Sequence, residues 1–303
     1  MIRSHDILKR SEQEREGLQV VDVEPARSNG QVAAGPIPVN PDPESASTAS
    51  SRPMPSPTPL SFDAILAHCT QTTWKPDPQS VLFLGGQGEA RGTEEFRALR
   101  SRLYQLREKQ RLKTLLIASS VPKEGRSFVA VNLAKVLALQ PECKVLLIDA
   151  DLRAPRLHSV FGTSMTPGLT EYMLDEVGEI EAMQKGSAES LFLVPAGRSV
   201  SGPTELIANG RLKTMIKRVE HLFDWIILDS PSALPVSDAC LLADCTDGVL
   251  LVVRSNSTPF DVVRKAREKF RDEQLVGAVL NGIEIRSSGQ THYDYAVSYP
   301  VAG

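Results

Sequence analysis

Residues 114–127, TLLIASSVPKEGRS, contain the most informative pattern in the sequence. The first five of these residues are mostly apolar and predict a buried strand. A loop containing Pro122 and Gly125 follows, and the sequence after Ser127 predicts a helix. A strand, a tight loop and a helix N-terminus in this order direct backbone N–H groups towards an anion. The stretch therefore predicts a loop that binds phosphate.

The loop also contains side chains suited to a nucleotide. Ser127 occupies the place of the hydroxyl that binds Mg²⁺ in such loops, and Arg126 occupies the place of the usual lysine. Gly-Arg-Ser is common by chance, so the loop alone is weak evidence. The residues that we predict to contact the nucleotide here are Pro122, Lys123, Glu124, Gly125, Arg126 and Ser127.

Acidic residues follow two further apolar stretches. VLLIDADLR, residues 145–153, ends a predicted strand with Asp149, Asp151 and Arg153, and WIILDSP ends another with Asp229. Alternate residues of an extended chain point to the same side, so Asp149 and Asp151 are expected to face one cation. Carboxylates beside phosphates suit Mg²⁺. We predict a magnesium site formed by Ser127, Asp149, Asp151 and Asp229, with Asp149, Asp151, Arg153 and Arg126 as catalytic residues.

Apolar strands and helical stretches alternate along the chain, which predicts an α/β fold with a mostly parallel sheet flanked by helices. In such sheets ligands bind at the carboxyl ends of the strands. Strands are predicted at 114–118, 144–148, 191–194, 225–228, 248–253 and 276–280. Helices are predicted from Thr93, as the capping residue, and at 127–139, 204–222, 237–242 and 260–274.

The composition divides the chain of 303 residues into four segments. Residues 1–20 contain a charged stretch compatible with a short helix. Residues 21–60 are rich in Pro and Ser and contain few large apolar side chains, so a disordered linker is predicted. Residues 61–285 are predicted to form the nucleotide-binding domain, and residues 286–303 a flexible tail.

Charge and cysteine content argue against several kinds of site. A net charge of −3 gives no basic signal for nucleic acid, and the four cysteines lack zinc-site spacing. The N-terminus has no apolar signal region, and no apolar run approaches the ~20 residues that cross a bilayer. We therefore predict a cytoplasmic protein with no direct membrane insertion, which associates with the membrane through a partner.

Over residues 90–300 the sequence resembles the cytoplasmic kinase domain of bacterial tyrosine autokinases (BY-kinases) of capsule and exopolysaccharide biosynthesis. The resemblance lies in SVPKEGRS, IDADLR and ILDSP, and in GPTELIANGRLKTMI at 202–216. It implies the phosphate-loop NTPase architecture shared with Min and Par ATPases, ATP and Mg²⁺ as cofactors, and tyrosine autophosphorylation. It also implies a transmembrane polysaccharide co-polymerase or activator protein as partner.

Three further features match the family. Glu94, Arg97 and Arg100 match an E-x-x-R-x-x-R helix through which its members assemble into rings, and VLNG at 279–282 implies that Asn281 contacts the base. Three of the five tyrosines lie within the last eleven residues. The resemblance implies that they are phosphorylated in trans between subunits. They are Tyr293, Tyr295 and Tyr299.

The phosphate loop departs from the family pattern at Lys123, where glycine is usual, and at Arg126, where lysine is usual. Lys123 is expected to adopt a left-handed conformation that favours glycine. Two alternatives to an active kinase therefore remain: a catalytically weakened nucleotide-binding scaffold for the same machinery, and a MinD/ParA-like ATPase. Such ATPases have a signature lysine where Val121 stands here.

Overall fold

The structure is a computed structural model that describes residues 60–83, 92–186 and 190–283. All of these except Leu60 belong to the predicted nucleotide-binding domain, 61–285. The predicted segment 1–20, nearly all of 21–60 and the tail 286–303 lie outside the described residues, as do Tyr293, Tyr295 and Tyr299.

The described residues form one sheet of eight strands in the order β1-β4-β5-β3-β6-β2-β7-β8. Each neighbouring pair is parallel except β4 and β5. The predicted mostly parallel sheet is thus confirmed. The strands are β1 (Thr70–Gln71), β2 (Thr114–Ser119), β3 (Val145–Asp149), β4 (Gln184–Lys185), β5 (Leu191–Val194), β6 (Trp225–Asp229), β7 (Gly248–Arg254) and β8 (Leu275–Asn281).

Helices cover both faces of the sheet. They are α1 (Phe62–His68), α2 (Thr93–Arg107), α3 (Arg126–Ala138), α4 (Leu157–Phe161), α5 (Leu169–Met173), α6 (Pro203–Ala208), α7 (Arg211–Val219), α8 (Asp238–Ala243) and α9 (Phe260–Arg267), with a 3₁₀ turn at Asp272–Gln274. Helices α2, α3 and α4 pack on one face of the sheet, and the remaining α-helices pack on the other. Alternate residues of β2 explain this division, because Leu115 and Ile117 face one core while Leu116 and Ala118 face the other.

Three details of the sequence prediction are wrong. The N-cap of α2 is Gly92, in a left-handed conformation, and Thr93 is the first helical residue. The helix predicted at 204–222 is two helices, because Gly210 has a φ of 80° between them. The helix predicted at 260–274 ends at Arg267 and is followed by the 3₁₀ turn.

The sheet order explains how the motifs meet. Strands β3, β6 and β2 are neighbours, and Asp149 of β3 lies opposite Asp229 of β6 in the parallel register. Ile117 of β2 lies opposite Asp229 on its other side. Because these strands run in the same direction, their carboxyl ends bring the phosphate loop and both acidic segments to one edge of the sheet.

Candidate active site at the carboxyl edge of the sheet

The phosphate loop connects β2 to α3 through two left-handed residues. Lys123 has a φ of 70° and Gly125 a φ of 92°. The expectation that Lys123 adopts a glycine-like conformation is confirmed, at a cost of about 1–2 kcal/mol for a residue with a side chain. The N-terminus of α3 begins at Arg126, so its free N–H groups lie beside the loop. This is the arrangement that binds anions.

Arg126 joins the loop to two of the acids. Its Nε donates to Oδ1 of Asp229 at 3.1 Å and its Nη2 to Oδ2 of Asp151 at 2.6 Å. Its Nη1 donates to the hydroxyl of Ser119 at 3.1 Å. The side chain of Arg126 is only 11% exposed, so both ion pairs lie where solvent screens them little. The side chain that replaces the usual lysine therefore bridges an acid that follows β3 and the acid that ends β6.

Asp149 is fully buried and bonded to backbone. Its Oδ2 accepts from the N–H groups of Arg156 and Leu157 at 3.1 and 3.0 Å, and its Oδ1 accepts from that of Asp151 at 3.3 Å. Burial raises the pKa of Asp149 to about 8, and the nearby Asp229 contributes to the rise. Asp149 thus holds the segment that carries Asp151 and the start of α4, and it does not line the cavity in front of the acids.

Asp229 lies opposite Asp149 in the sheet and shares the ion pairs of Arg126 with Asp151. Burial raises the pKa of Asp229, an effect that the opposing charge of Arg126 does not cancel. Among the described residues its Oδ2 is a buried atom without a hydrogen-bond partner. A free carboxylate oxygen near a second carboxylate and a serine hydroxyl is a donor set of hard oxygens, which suits Mg²⁺.

A cavity of about 510 Å³ opens in front of this group. Its lining includes five of the six predicted loop residues, all but Glu124, and also Asp151 and Arg153. The lining residues are Ser80, Pro122, Lys123, Gly125, Arg126, Ser127, Phe128, Asp151, Arg153, Ala154, Arg156, Val160, Pro231, Ser232, Pro235 and Val236. A cavity of about 720 Å³ beside Arg198 and α6 is lined by none of the predicted site residues.

Arg153 lines the cavity, and its guanidinium donates hydrogen bonds to residues of α6 and α8. Its Nε donates to Oδ2 of Asp238 at 2.7 Å, and its Nη2 donates to the hydroxyl of Thr204 at 2.8 Å. Thr204 in turn donates to Oδ1 of Asp238 at 2.6 Å. The sequence did not predict these partners, because they come from α6 and α8. Asp238, in the stretch PVSDA, lies in the first turn of the predicted helix 237–242, and this position was the sequence signal that could have pointed to it.

Asn281 contacts the phosphate loop. Its Nδ2 donates to the carbonyl of Glu124 at 2.9 Å. A Cβ at Gly125 would lie 1.9 Å from the same Nδ2, so this close approach requires glycine there. The amide group predicted to contact the base is therefore also a neighbour of the loop.

The residues matched to the assembly motif lie on α2. Arg97 forms an ion pair with Glu94 on the exposed face of the helix. Arg100 instead donates from Nη1 to the carbonyl of Val136 at 3.0 Å, which ties α2 to the last turn of α3. Two of the three residues are thus available at the surface, and the third has an internal contact.

The described part of the chain contains neither a preformed metal cluster nor a membrane-spanning helix. No group of three or more His, Cys, Asp or Glu residues suitable for a metal ion occurs there. A Mg²⁺ that shares phosphate oxygens needs few protein ligands, so this finding does not bear against the predicted magnesium site. Within the same residues no helix is long and apolar enough to cross a bilayer.

Comparison with known proteins identifies the relatives of the chain. Residues 117–263 match the family model of an AAA domain. The tyrosine-protein kinase YwqD of Bacillus subtilis is 34% identical over 205 residues, which are 67% of this chain and 85% of that protein. The succinoglycan biosynthesis transport protein ExoP of Rhizobium meliloti is 29% identical over 212 residues, but these are only 27% of that longer protein.

A solved structure agrees with these relatives. The kinase domain of the Escherichia coli tyrosine kinase Etk superposes with a TM-score of 0.60 and 29% identity. The match covers 67% of this chain and 80% of that domain. The likeness therefore extends over most of the residues that the structure describes.

Proposed function

Because the chain belongs to the family of bacterial tyrosine-protein kinases, we propose that it is an ATP- and Mg²⁺-dependent tyrosine autokinase. Its substrates are Tyr293, Tyr295 and Tyr299 of its own tail, reached in trans. The reaction regulates the polymerisation or export of an exopolysaccharide or capsule.

One observation carries the proposal. Asp151, which follows β3, and Asp229, which ends β6, converge on a cationic residue of the phosphate loop at 2.6 and 3.1 Å. Phosphoryl transfer depends mainly on positioning and on neutralising charge, and this arrangement offers both beside one cavity, which Arg126 and Asp151 line. The backbone N–H groups at the start of α3 supply the phosphate contacts.

The acids take different roles in this mechanism. Asp151 accepts the proton of the tyrosine hydroxyl, because its carboxylate lines the cavity whereas Asp149 is enclosed. Asp149 fixes the segment that carries Asp151. When the nucleotide binds, Arg126 breaks its ion pairs with Asp151 and Asp229 and pairs with phosphate oxygens instead. The planar arrangement of its N–H donors suits this contact. The departure of Arg126 frees the Asp151 carboxylate to accept a hydrogen bond from the tyrosine hydroxyl.

Residues suited to a magnesium ion are also present. Ser127, Asp151 and Asp229 would hold it, and the free Oδ2 of Asp229 supports this assignment. The bound ion would neutralise charge on the transferred phosphoryl group. Arg153, held by Asp238, orients positive charge towards the same cavity.

The partners in the proposal follow from the relatives. ExoP is by its name a transport protein of succinoglycan biosynthesis, so a transmembrane co-polymerase or activator would recruit this chain to the cytoplasmic face of the membrane. Self-association into a ring through the exposed Glu94 and Arg97 would bring the tail of one subunit to the cavity of the next.

The experiment that tests the function is phosphosite mapping. The purified chain is incubated with ATP and Mg²⁺, with and without a membrane activator fragment, and phosphotyrosine is mapped by mass spectrometry. Phosphate on at least one of Tyr293, Tyr295 and Tyr299 is expected, and Asp151→Asn is the matched inactive control. Absence of phosphotyrosine from all three, even with the activator, would rule out the autokinase.

A second candidate function is a nucleotide-binding scaffold with weak catalysis. The observation that favours it is the double ion pair of Arg126, which occupies both Asp151 and Asp229. The same samples distinguish the two candidates when ATP binding is measured by calorimetry. Binding of ATP without phosphotyrosine supports the scaffold.

A further inference from the structure

The phosphate loop has a strained backbone immediately before the N-terminus of α3. Lys123 and Gly125 both have left-handed backbones, and Glu124 lies between them. A non-glycine residue keeps such a conformation only when its surroundings hold it there. The contacts of Glu124 therefore determine whether the loop retains its shape.

Glu124 is bonded on every side. Its side chain is almost fully buried, and its Oε2 accepts from the N–H of Val121 within the loop at 2.8 Å. Its Oε1 accepts from the hydroxyl of Thr258 at 2.6 Å and from the N–H of Arg254 at 3.3 Å. One carboxylate thus joins the loop to the segment between β7 and α9.

The backbone of Glu124 is held as well. The amide of Asn281, at the end of β8, donates to its carbonyl at 2.9 Å and packs against Gly125. Residues at or just after the ends of β7 and β8 therefore support the loop on the side away from the acids. We call Glu124, Arg254, Thr258 and Asn281 the loop brace.

We propose that Thr258 is a positioning residue for nucleotide binding, which acts through Glu124 to hold the phosphate loop in its binding conformation. The hydroxyl of Thr258 is the one side-chain donor to the Glu124 carboxylate among the described residues. Without it, Oε1 is left with the long contact to Arg254. The buried carboxylate would then lack a short hydrogen bond, which raises the free energy of the strained loop conformation. The loop is therefore expected to shift away from that conformation.

The variant Thr258→Val removes the hydroxyl and keeps the shape of the side chain, and Thr258→Ser restores the hydroxyl. Thr214→Val is the matched control, because its hydroxyl donates to the carbonyl of Gly210 at 3.1 Å on an exposed helix surface. Hydrogen exchange of the full chain without nucleotide is measured first. We expect residues 119–127 to exchange about tenfold faster in Thr258→Val, with β3 unchanged, and to be normal in the other two variants.

Nucleotide binding is the second measurement, and it rests on the proposed function. In Thr258→Val the Kd or KM for ATP is expected to rise about tenfold while kcat changes less than about threefold, because the loop binds ground state and transition state alike. Unchanged exchange in residues 119–127 would overturn the inference, and so would exchange that rises equally in β3. If the wild-type chain binds no ATP, the proposed function fails, and the exchange result still decides whether Thr258 holds the phosphate loop in its conformation.

Discussion

Arg126 determines how the site behaves at the scale of a single residue. A lysine ammonium is a compact point charge, whereas the guanidinium offers several donors in a fixed plane. Here the donors reach Asp151, Asp229 and Ser119 at the same time. Any ligand that needs Arg126 or the two acids must first break contacts in a buried site.

The first prediction is that Arg126→Lys binds Mg²⁺-ATP about tenfold more tightly than the wild-type chain. Lysine cannot span both acids, so fewer ion pairs are lost when the phosphates bind. Isothermal titration calorimetry measures the change. Arg218→Lys is the control, because Arg218 pairs with Glu179 away from the cavity. Equal or weaker binding by Arg126→Lys would contradict this account of the loop.

At the scale of the elements, strand order matters more than any single motif. Asp247 shows how β2 is fixed beside β7, since its Oδ2 accepts from the N–H groups of Lys113 and Thr114 at 2.9 and 2.8 Å. Its Oδ1 accepts from Arg111 at 3.1 Å. A single carboxylate thus accepts hydrogen bonds from the start of β2, the strand that leads into the phosphate loop.

The second prediction concerns stability and pH. Burial opposes ionisation of Asp247, but hydrogen bonds from Thr114 and Lys113 and the charge of Arg111 outweigh it and lower the pKa below its ordinary value of 3.8. A lowered pKa in the folded state means that the stabilisation is present above pH 3.8 and is lost as the pH falls through the folded pKa.

Asp247→Asn should therefore lower the free energy of unfolding by about 1–2 kcal/mol at pH 7. The difference from the wild-type chain should shrink below about pH 4. Urea denaturation between pH 3 and 7 measures this, with Asp261→Asn as an exposed control. A difference that stays constant with pH would show that the carboxylate charge is not the cause.

At the scale of the whole molecule, α2 combines two tasks. Arg100 attaches the helix to α3 through the carbonyl of Val136, whereas Arg97 and Glu94 remain at the surface. An exposed ion pair contributes little to the free energy of unfolding. The Arg97–Glu94 pair is therefore not needed to stabilise the fold and is available for contacts between subunits.

The third prediction separates these tasks. Arg97→Ala should reduce self-association and change the free energy of unfolding by less than about 0.5 kcal/mol. Arg100→Ala should lower the free energy of unfolding by about 1 kcal/mol through loss of its hydrogen bond. Sedimentation velocity and urea denaturation measure the two effects. Self-association that is undiminished in Arg97→Ala would argue against the ring interface.

The fold class, the six main strands and the edge at which the acids meet could all be predicted from the sequence. Continuous apolar strands and strand–loop–helix order are local patterns, so they can be recognised without knowing any long-range contact. The left-handed Lys123 was predictable for the same reason, because it depends on the geometry of a short loop. The break at Gly210 was not predicted, since glycine also occurs within helices and only the observed φ distinguishes the two cases.

Which of the predicted side chains lie together at the cavity could be seen only in the tertiary structure. Asp149 and Asp151 are two residues apart, yet one is bonded to backbone behind the cavity and the other lines it. The partners of Arg153 and of Glu124 come from helices and loops far along the chain. Such contacts depend on the order of strands in the sheet. That order results from the packing of the entire core, so no local pattern of residues encodes it.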